Sequence, residues 1–166
     1  FSLRDGGTVE SVIIPMADHV TFCISTQVGC AMACTFCATG RMGMIRQLDT
    51  SEIVGQVLEL WRRHEDATHP NLVFMGMGEP LLNYSNMLKS IEHITSEEGL
   101  GMSPRRITVS TSGIAKMIRK LGDDEVKFNL ALSLHAANDK KRNEIMEINE
   151  TNTLAELREA LKYYFA

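Results

Sequence analysis

Apolar positions recur with two different periods along the chain, and the change of period separates predicted strands from predicted helices. Residues 8–15 and 20–25 are rich in β-branched and aromatic residues and flank a turn-like segment at 16–19, so they predict an N-terminal β-ribbon. Apolar residues at helical spacing then occur at positions 53, 54, 57, 58 and 61. Asp49 and Glu52 stand just before them at the spacing of a capping box, which predicts a helix over residues 50–64.

Strand-like and helix-like segments alternate from residue 71 onward. We predict strands at 71–75, 105–111 and 126–133, and helices at about 84–97, 113–121, 138–147 and 153–165. Such alternation predicts parallel β/α units, and residues 20–26 would add a fourth core strand. Four strands are fewer than the eight of a closed barrel. The expected fold class is therefore α/β, a partial (β/α) barrel with an N-terminal β-ribbon.

The length and composition predict one compact domain, because 166 residues with 44% hydrophobic content suffice for a core. We divide the chain into an N-terminal β-extension at 1–19 and a β/α core at 20–166. The chain begins with Phe1 and stops on the apolar run at 163–166. We interpret it as an excerpt of a longer protein whose core is incomplete at its C-terminal end.

The charge balance limits the classes of partner. A net charge of −4 gives no general attraction to a polyanion, so contact with nucleic acid needs a local basic surface or a region outside these residues. The basic groups at 105–106, 116–120 and 140–142 are each more typical of a solvated helix or strand end. The sequence shows no signal peptide and no apolar run of membrane-spanning length. We therefore expect a cytoplasmic protein without a membrane partner.

The unusual polar residues follow the predicted strands. In β/α folds ligands bind at the carboxyl ends of the strands. The segments after the predicted strands contain a cysteine-rich loop and residues 76–79, 110–112 and 133–135. We expect these four segments to meet at one edge of the sheet.

All four cysteines lie between positions 23 and 37, and three of them, Cys30, Cys34 and Cys37, fall within eight positions. Their crowding favours metal ligands or redox groups over a secreted disulfide framework. Thiolates suit zinc or iron–sulfur clusters. A [4Fe–4S] cluster usually has four cysteine ligands, so three would leave one iron open for a substrate.

A structural zinc site remains an alternative at this point. Zinc in such sites takes four ligands, and Cys23 could complete the set although it lies seven residues before Cys30. His19, His64 and His69 are further candidates for the fourth ligand. The residues alone leave open a non-catalytic zinc module with four cysteine ligands.

The cysteine spacing, with Phe36 before the third cysteine, resembles the cluster motif of the radical S-adenosylmethionine (SAM) superfamily. The resemblance implies a [4Fe–4S] cluster bound by Cys30, Cys34 and Cys37, whose open iron is chelated by SAM. The segment at 76–80, Gly-Met-Gly-Glu-Pro, resembles the glycine–glutamate motif of the same superfamily. This match implies that Gly78 and Glu79 contact the methionine part of SAM.

Wider matches at 23–30, 36–40, 75–83, 109–113 and 132–136 resemble the RlmN/Cfr family of RNA adenine methyltransferases. The resemblance covers nearly the whole chain and implies methylation of carbon 2 of adenosine in 23S rRNA and tRNA, through a 5′-deoxyadenosyl radical and an S-methylcysteine. It also implies a monomer and an external electron donor such as flavodoxin or ferredoxin. Methylation of carbon 8, as in the Cfr branch, and another radical SAM activity are the alternatives.

The same matching assigns two catalytic residues. Cys23 corresponds to the cysteine that forms a transient disulfide with the methyl-carrying cysteine, and Glu10 corresponds to the proton acceptor. The pattern adds an argument for Glu10, because this residue shares a predicted strand face with Val12 and Ile14. Burial on such a face would raise the pKa of its carboxyl group, as a general base requires.

The matching also assigns further contacts to SAM. Ser110 is expected to contact its ribose or carboxylate, with Ser112 as the competing choice. Ser133, Leu134 and His135 are expected on the far side of SAM.

One part of the resemblance is missing from these residues. No cysteine follows Cys37, so the methyl-carrying cysteine is absent, as is the N-terminal RNA-binding region of the family. We therefore expect a polypeptide of only these 166 residues to be inactive in methyl transfer, although it retains the cluster loop and most of the SAM pocket.

Overall fold

A five-stranded sheet forms the centre of the computed structural model, which describes residues 1–64 and 69–166. The strands within these residues are β1 (Val12–Pro15), β2 (Val20–Cys23), β3 (Gln27–Gly29), β4 (Met44–Gln47), β5 (Asn71–Phe74), β6 (Ile107–Thr111) and β7 (Asn129–Leu132). The large sheet has the order β1-β2-β5-β6-β7, in which β1 is antiparallel to β2 and the other neighbours are parallel. The structure confirms the ribbon and the four parallel core strands.

The helices of the described residues are α1 (Ala38–Arg41), α2 (Thr50–Arg63), α3 (Tyr84–Thr95), α4 (Ala115–Asp123), α5 (Asp139–Ile145) and α6 (Leu154–Tyr164). Short 3-10 helices span Pro80–Asn83, Pro104–Arg106 and Glu147–Glu150. Helices α2 to α6 confirm the predicted helices, with ends that differ by a few residues. Sequence reasoning missed α1 and the small antiparallel sheet of β3 and β4, because segments of three or four residues are too short to show a period.

Side-chain burial alternates along the parallel strands of the large sheet. Phe22, Phe74 and Val109 are buried in the core on the face that packs against the helices. Cys23 and Ser110 lie on the opposite face and are half-buried. Because side chains of a strand point alternately to the two faces, the face without the large core residues is the one available for a ligand.

Helix α2 begins with the predicted capping box. The Asp49 side chain accepts a hydrogen bond from the Glu52 amide at 2.8 Å, and the Glu52 side chain accepts one from the Asp49 amide at 3.0 Å. Glu52 also accepts two hydrogen bonds from Arg46 in β4, at 2.7 and 2.8 Å. The apolar stripe is narrower than predicted, because Leu58 is 44% exposed.

One prediction about the N-terminal ribbon is wrong. Glu10 precedes β1 and is exposed, and Val12 and Ile14 are 49% and 39% exposed. Strand β1 is an edge strand, and Glu10 and Val12 line a cavity together with residues of α2. Glu10 therefore does not lie on a buried apolar face, which contradicts the predicted burial of its carboxyl group.

The described helices include no candidate for a membrane-spanning segment. Among the residues that the structure describes, no helix has both the length and the apolar character needed to cross a membrane.

The segment between residues 26 and 48, which contains the cysteines of the loop, is closed at its base by a buried amide. Asn83 donates from Nδ2 to the carbonyl oxygen of Thr26 at 2.8 Å and to that of Leu48 at 2.7 Å. The Leu48 amide also donates to the Thr26 carbonyl at 3.0 Å. The two ends of the segment are thereby held against the 3-10 helix that follows β5.

Replacing this amide should loosen the base of the segment. We expect Asn83→Ala to lower the free energy of unfolding by about 2 kcal/mol, because a buried carbonyl that loses its donor keeps a desolvation penalty. Urea denaturation followed by circular dichroism measures the change. Ser85→Ala, at an exposed position of α3, is the control and should change stability little. Equal stability of the two variants would contradict the assigned role.

Candidate functional site

A cavity of about 300 Å³ lies at the carboxyl ends of the parallel strands. The four segments that sequence analysis expected to meet contribute to its lining, namely Cys30, Cys34, Cys37, Gly76, Gly78, Glu79, Ser110, Ser112, Ser133 and His135. The structure thus brings together ten chemically distinctive residues from four separate segments.

The cysteine loop depends on glycine at its start. Gly29 has φ of +77°, and a Cβ atom at this position would lie 1.9 Å from the Gly43 carbonyl oxygen. The Cys30 amide donates to that same carbonyl at 3.0 Å. The close approach of the two backbones therefore fixes where Cys30 enters the cavity, and no residue with a side chain fits at position 29 without a shift.

The thiols of the loop are unpaired and electrostatically coupled. All four cysteines of the chain lie in the described part, and all are free. Burial raises the pKa of the Cys30 thiol, and the negative charges of Glu79 and Cys37 add to the effect. Burial likewise raises the pKa of Cys34, with Cys30 and Cys37 adding. These thiols can ionise together only if a positive charge in the cavity offsets the repulsion between their negative charges.

The donor set fits an iron–sulfur cluster better than a single ion. Thiolates are the usual ligands of such clusters. Within residues 1–64 and 69–166, no three His, Cys, Asp or Glu side chains lie close enough together to hold one metal ion. Cys23 is absent from the lining of the cavity. Three thiols that line one cavity with a buried carboxylate suit the ligand set of a cluster with an open position.

Glu79 is a buried carboxylate, 2% exposed, in the same cavity. Its Oε2 accepts hydrogen bonds from the amide and hydroxyl of Ser112, at 2.7 and 2.8 Å, and its Oε1 accepts one from the Leu81 amide at 3.1 Å. Burial raises the pKa of Glu79, while hydrogen bonds from Ser112, Thr111 and Leu81 oppose that rise. Oε2 accepts two of the hydrogen bonds above and Oε1 only one, so Oε1 has the freer acceptor position for a ligand.

The backbone beside Glu79 requires glycine. Gly78 has φ of +102°, and an added Cβ would lie 2.6 Å from the side chain of Gln27. The Gln27 side chain accepts a hydrogen bond from the Glu79 amide at 2.8 Å. Gly78 thus lets the chain turn so that Gln27 and Ser112 hold Glu79 from two directions.

The three serines of the site have two kinds of partner. The hydroxyl oxygens of Ser110 and Ser133 lie 3.3 Å apart, across the ends of β6 and β7. Ser112 instead donates to Glu79 through both its amide and its hydroxyl. Both Ser110 and Ser112 line the cavity, but only the Ser110 pair leaves its hydroxyls without a carboxylate partner.

The two residues that follow Ser133 face different cavities. His135 lines the cavity of the thiols, has φ of +56°, and its ring lies 4.6 Å from that of Phe36 in the cysteine loop. Leu134 is 47% exposed and lines a separate apolar groove beside α6. Any contact from Leu134 to a ligand in the thiol cavity would therefore come from its backbone and not from its side chain.

Comparison with known proteins settles the family. Residues 24–166 match the family model of the radical SAM superfamily. The chain belongs to the radical SAM superfamily.

The relatives add detail. The chain is 58% identical to a probable dual-specificity RNA methyltransferase RlmN of Cytophaga hutchinsonii, over 99% of this chain and 46% of the relative. It is 49% identical to the protein of the same name from Aquifex aeolicus, over 99% and 48%. The crystal structure of a radical SAM methyltransferase from Sphaerobacter thermophilus superposes with a TM-score of 0.92 and 41% identity, over 97% of this chain and 48% of that chain. The chain thus spans about half the length of these relatives.

Neither of the two residues expected to be catalytic lines the thiol cavity, and Glu10 lines a different cavity. Cys23 is half-buried, burial raises the pKa of its thiol, and it pairs in the sheet with Val12 and Val73. The Glu10 amide contacts the Met77 sulfur at 3.4 Å, and its carbonyl oxygen accepts a hydrogen bond from the Ser25 hydroxyl at 2.6 Å. The backbone of Glu10 is thus anchored beside the glycine–glutamate segment, with its side chain exposed.

Sequence reasoning missed Arg142, which it treated as part of a solvated basic group. The side chain is fully buried, whereas Lys140 and Lys141 are exposed. The one sequence feature that could have indicated its burial is helical spacing, because Arg142 stands four residues before the apolar Met146. In the structure Met146 is buried and lines the cavity.

The different partners of Ser112 and Ser110 predict different effects of their replacement on Glu79. Ser112→Ala removes a hydroxyl donor to the carboxylate, so the ionised form loses stabilisation. We expect the pKa of Glu79 to move further upward, so that the carboxylate takes up its proton at a higher pH than in the unaltered protein. A ¹³C NMR titration of the carboxyl carbon, assigned by its loss in Glu79→Gln, measures the shift.

Ser110→Ala is the matched control, because the Ser110 hydroxyl pairs with Ser133 and not with Glu79. Its titration of Glu79 should equal that of the unaltered protein. A Ser112→Ala curve that coincides with the control would contradict the assigned hydrogen bond.

Proposed function

We propose that the protein is a radical SAM RNA methyltransferase that methylates carbon 2 of adenosine in 23S rRNA and tRNA. The relatives support this proposal, since those named probable dual-specificity RNA methyltransferase share 45% to 58% identity across nearly the whole chain. One structural observation carries it. Three free thiols of a single loop share a cavity with a buried carboxylate that has an acceptor position to spare.

Cys30, Cys34 and Cys37 are the proposed ligands of a [4Fe–4S] cluster. When bound and reduced, such a cluster supplies the electron that cleaves SAM. The cysteine loop contributes a hydrogen bond from the Met32 amide to the Cys30 sulfur at 3.5 Å, which favours the thiolate form of that ligand. Burial of Cys30 and Cys34 restricts access of water to the bound sulfurs.

Glu79 and Gly78 are the proposed contacts of the methionine part of SAM. The ammonium group of SAM would supply the positive charge that the Glu79 carboxylate lacks, and the charge-assisted hydrogen bond would be strong because Glu79 is buried. Gly78, with φ of +102°, allows the backbone turn that brings Glu79 to the cavity. Ser110 and Ser133, with hydroxyls turned toward each other, suit the ribose or carboxylate, and His135 bounds the site beside Phe36. Leu134 would contribute through its backbone.

Cys23 and Glu10 are the proposed catalytic residues. Because burial raises the pKa of Cys23, its thiol stays protonated and unreactive until a disulfide partner approaches. Glu10 is the proposed proton acceptor. Its carboxylate is exposed and would be desolvated only when a substrate base covers it, while its backbone is held in place by Ser25 and Met77.

The remaining assignments extend to the whole protein. We propose that it receives electrons from an external donor such as flavodoxin or ferredoxin, acts as a monomer and is located in the cytoplasm. Residues 1–19 would form a β-extension to the radical SAM core at 20–166. Because these residues carry a net charge of −4 and RNA is a polyanion, we propose that most of the RNA-binding surface lies outside them.

The cluster assignment predicts a contrast between two cysteines. Anaerobic reconstitution of the full-length protein with iron and sulfide should give a brown protein with iron–sulfur charge-transfer absorption. Cys34→Ala should lose this absorption, because the loop provides three thiolates and the cluster requires all of them. Cys23→Ala, the control, should keep it, because Cys23 does not line the cavity. Equal loss in both variants would favour a four-cysteine zinc site instead.

The substrate assignment predicts a specific product. RNA from cells that lack the gene should lack 2-methyladenosine at the sites where RNA from complemented cells contains it, and mass spectrometry of digested 23S rRNA and tRNA measures the difference. Complementation with the Cys34→Ala variant is the negative control. Restoration of a carbon 8 methyl group would assign the protein to the other branch of the family.

A further inference from the structure

A fully buried guanidinium lies directly behind the wall of the cavity. Arg142 of α5 has no exposed surface, although the two residues before it are exposed lysines. Arginine is rarely buried in this way unless its charge and donors are satisfied. Its contacts therefore need a full account.

The donors of Arg142 bind the backbone at the ends of the two strands that form the SAM side of the cavity. Nη2 donates to the carbonyl oxygen of Ser112, after β6, and to that of Ser133, after β7, the latter at 3.3 Å. Nε donates to the Leu134 carbonyl at 3.1 Å, and Nη1 donates to the Asn149 side chain at 2.6 Å. One side chain thus fixes both strand ends.

The charge of Arg142 has no directly contacting counter-ion. In the part of the chain that the structure describes, no carboxylate lies within ion-pair distance of it; its four acceptors are three carbonyl oxygens and an amide oxygen. Burial lowers the pKa of Arg142, and the charges of Cys34 and then Asp139 oppose that change. Within the described residues, Arg142 is therefore a buried positive charge whose hydrogen-bond partners are all neutral.

Helix α5 also contacts the cysteine loop directly. The amide of Thr35, next to Cys34, donates to the Ile145 carbonyl at the end of α5 at 3.0 Å. Met146, just after the helix, is buried and lines the cavity. The element that holds Arg142 is thus fixed to the loop on one side and to the strand ends on the other.

We propose that Arg142 is a positioning residue that places a fixed positive charge on the helix that contacts the cysteine loop, and that holds the Ser112 and Ser133 backbones in register for SAM. The proposal rests on the proposed function. A cluster held by three thiolates gains one negative charge on one-electron reduction. A nearby positive charge in a poorly solvated site favours the reduced state, which is the state that delivers the electron.

Two variants separate the charge of Arg142 from its hydrogen bonds. Arg142→Gln keeps two N–H donors and removes the charge, whereas Arg142→Lys keeps the charge and loses the planar fork. Lys141→Gln removes an exposed charge from the same helix and is the control. The full-length protein is reconstituted anaerobically, and two quantities are measured: the cluster midpoint potential by EPR-monitored redox titration, and SAM affinity by equilibrium binding.

We expect Arg142→Gln to shift the reduction equilibrium about tenfold toward the oxidised cluster, which is 59 mV for a one-electron couple. Arg142→Lys should keep the midpoint potential and bind SAM about tenfold more weakly, because an ammonium cannot span the three carbonyls. Lys141→Gln should change neither quantity.

The outcomes distinguish this inference from the proposed function. An unaltered protein that holds no cluster would contradict the proposed function itself. A cluster-loaded Arg142→Gln with unchanged midpoint potential and SAM affinity would overturn the role of Arg142. If Arg142→Gln cannot hold a cluster, Arg142→Lys decides: weakened SAM binding at the original potential supports the role, and unchanged SAM binding overturns it.

Discussion

The structure of the site depends on burying the Glu79 carboxylate without a cation from the described residues. Such a group is stable only when neighbouring donors replace the water it has lost. Ser112 supplies two donors, and Gln27 fixes the adjacent backbone by accepting from the Glu79 amide. Arg142 in turn binds the Ser112 carbonyl. A continuous hydrogen-bond network therefore joins the base of the cysteine loop to the ends of β6 and β7, and places the acceptor position of Glu79 against the thiols.

The same requirement for hydrogen bonds explains why the cysteine loop is well defined although it has little regular structure. Shortly after β2, the Ser25 amide donates to Gln56 Oε1 at 2.9 Å, and Gln56 Nε2 donates to the Ser25 carbonyl oxygen at 3.0 Å. Asn83 closes the loop segment by binding Thr26 and Leu48. Buried side-chain amides thus take the place of a strand partner. The loop can then present its thiols at fixed positions without a regular element beneath them, which is what a ligand set for a cluster requires.

The parallel core could be predicted because its physical signals are local. Helices α2 to α6 and the four parallel strands each show an apolar period over at least one full repeat, and the capping box marks the start of α2 at Asp49. The burial of Arg142 and the exposure of Glu10 could not be predicted in the same way. Each depends on tertiary contacts: Arg142, on α5, binds the ends of β6 and β7, whereas Glu10 precedes an edge strand and is exposed.

The sequence by itself determined the chemistry of the site, because cysteine spacing, the glycine–glutamate segment and the serines after the strands are properties of residue type and order. It also determined that these segments follow parallel strands and so meet at one edge. Only the tertiary structure decided which atoms face one another: that Ser112 donates to Glu79 while Ser110 pairs with Ser133, that Leu134 lines a different groove, and that Arg142 binds the Ser112 and Ser133 carbonyls. Most of these contacts join residues more than twenty positions apart in sequence, such as Ser112 with Glu79 and Arg142 with Ser112. The local spacing of apolar residues therefore cannot predict them.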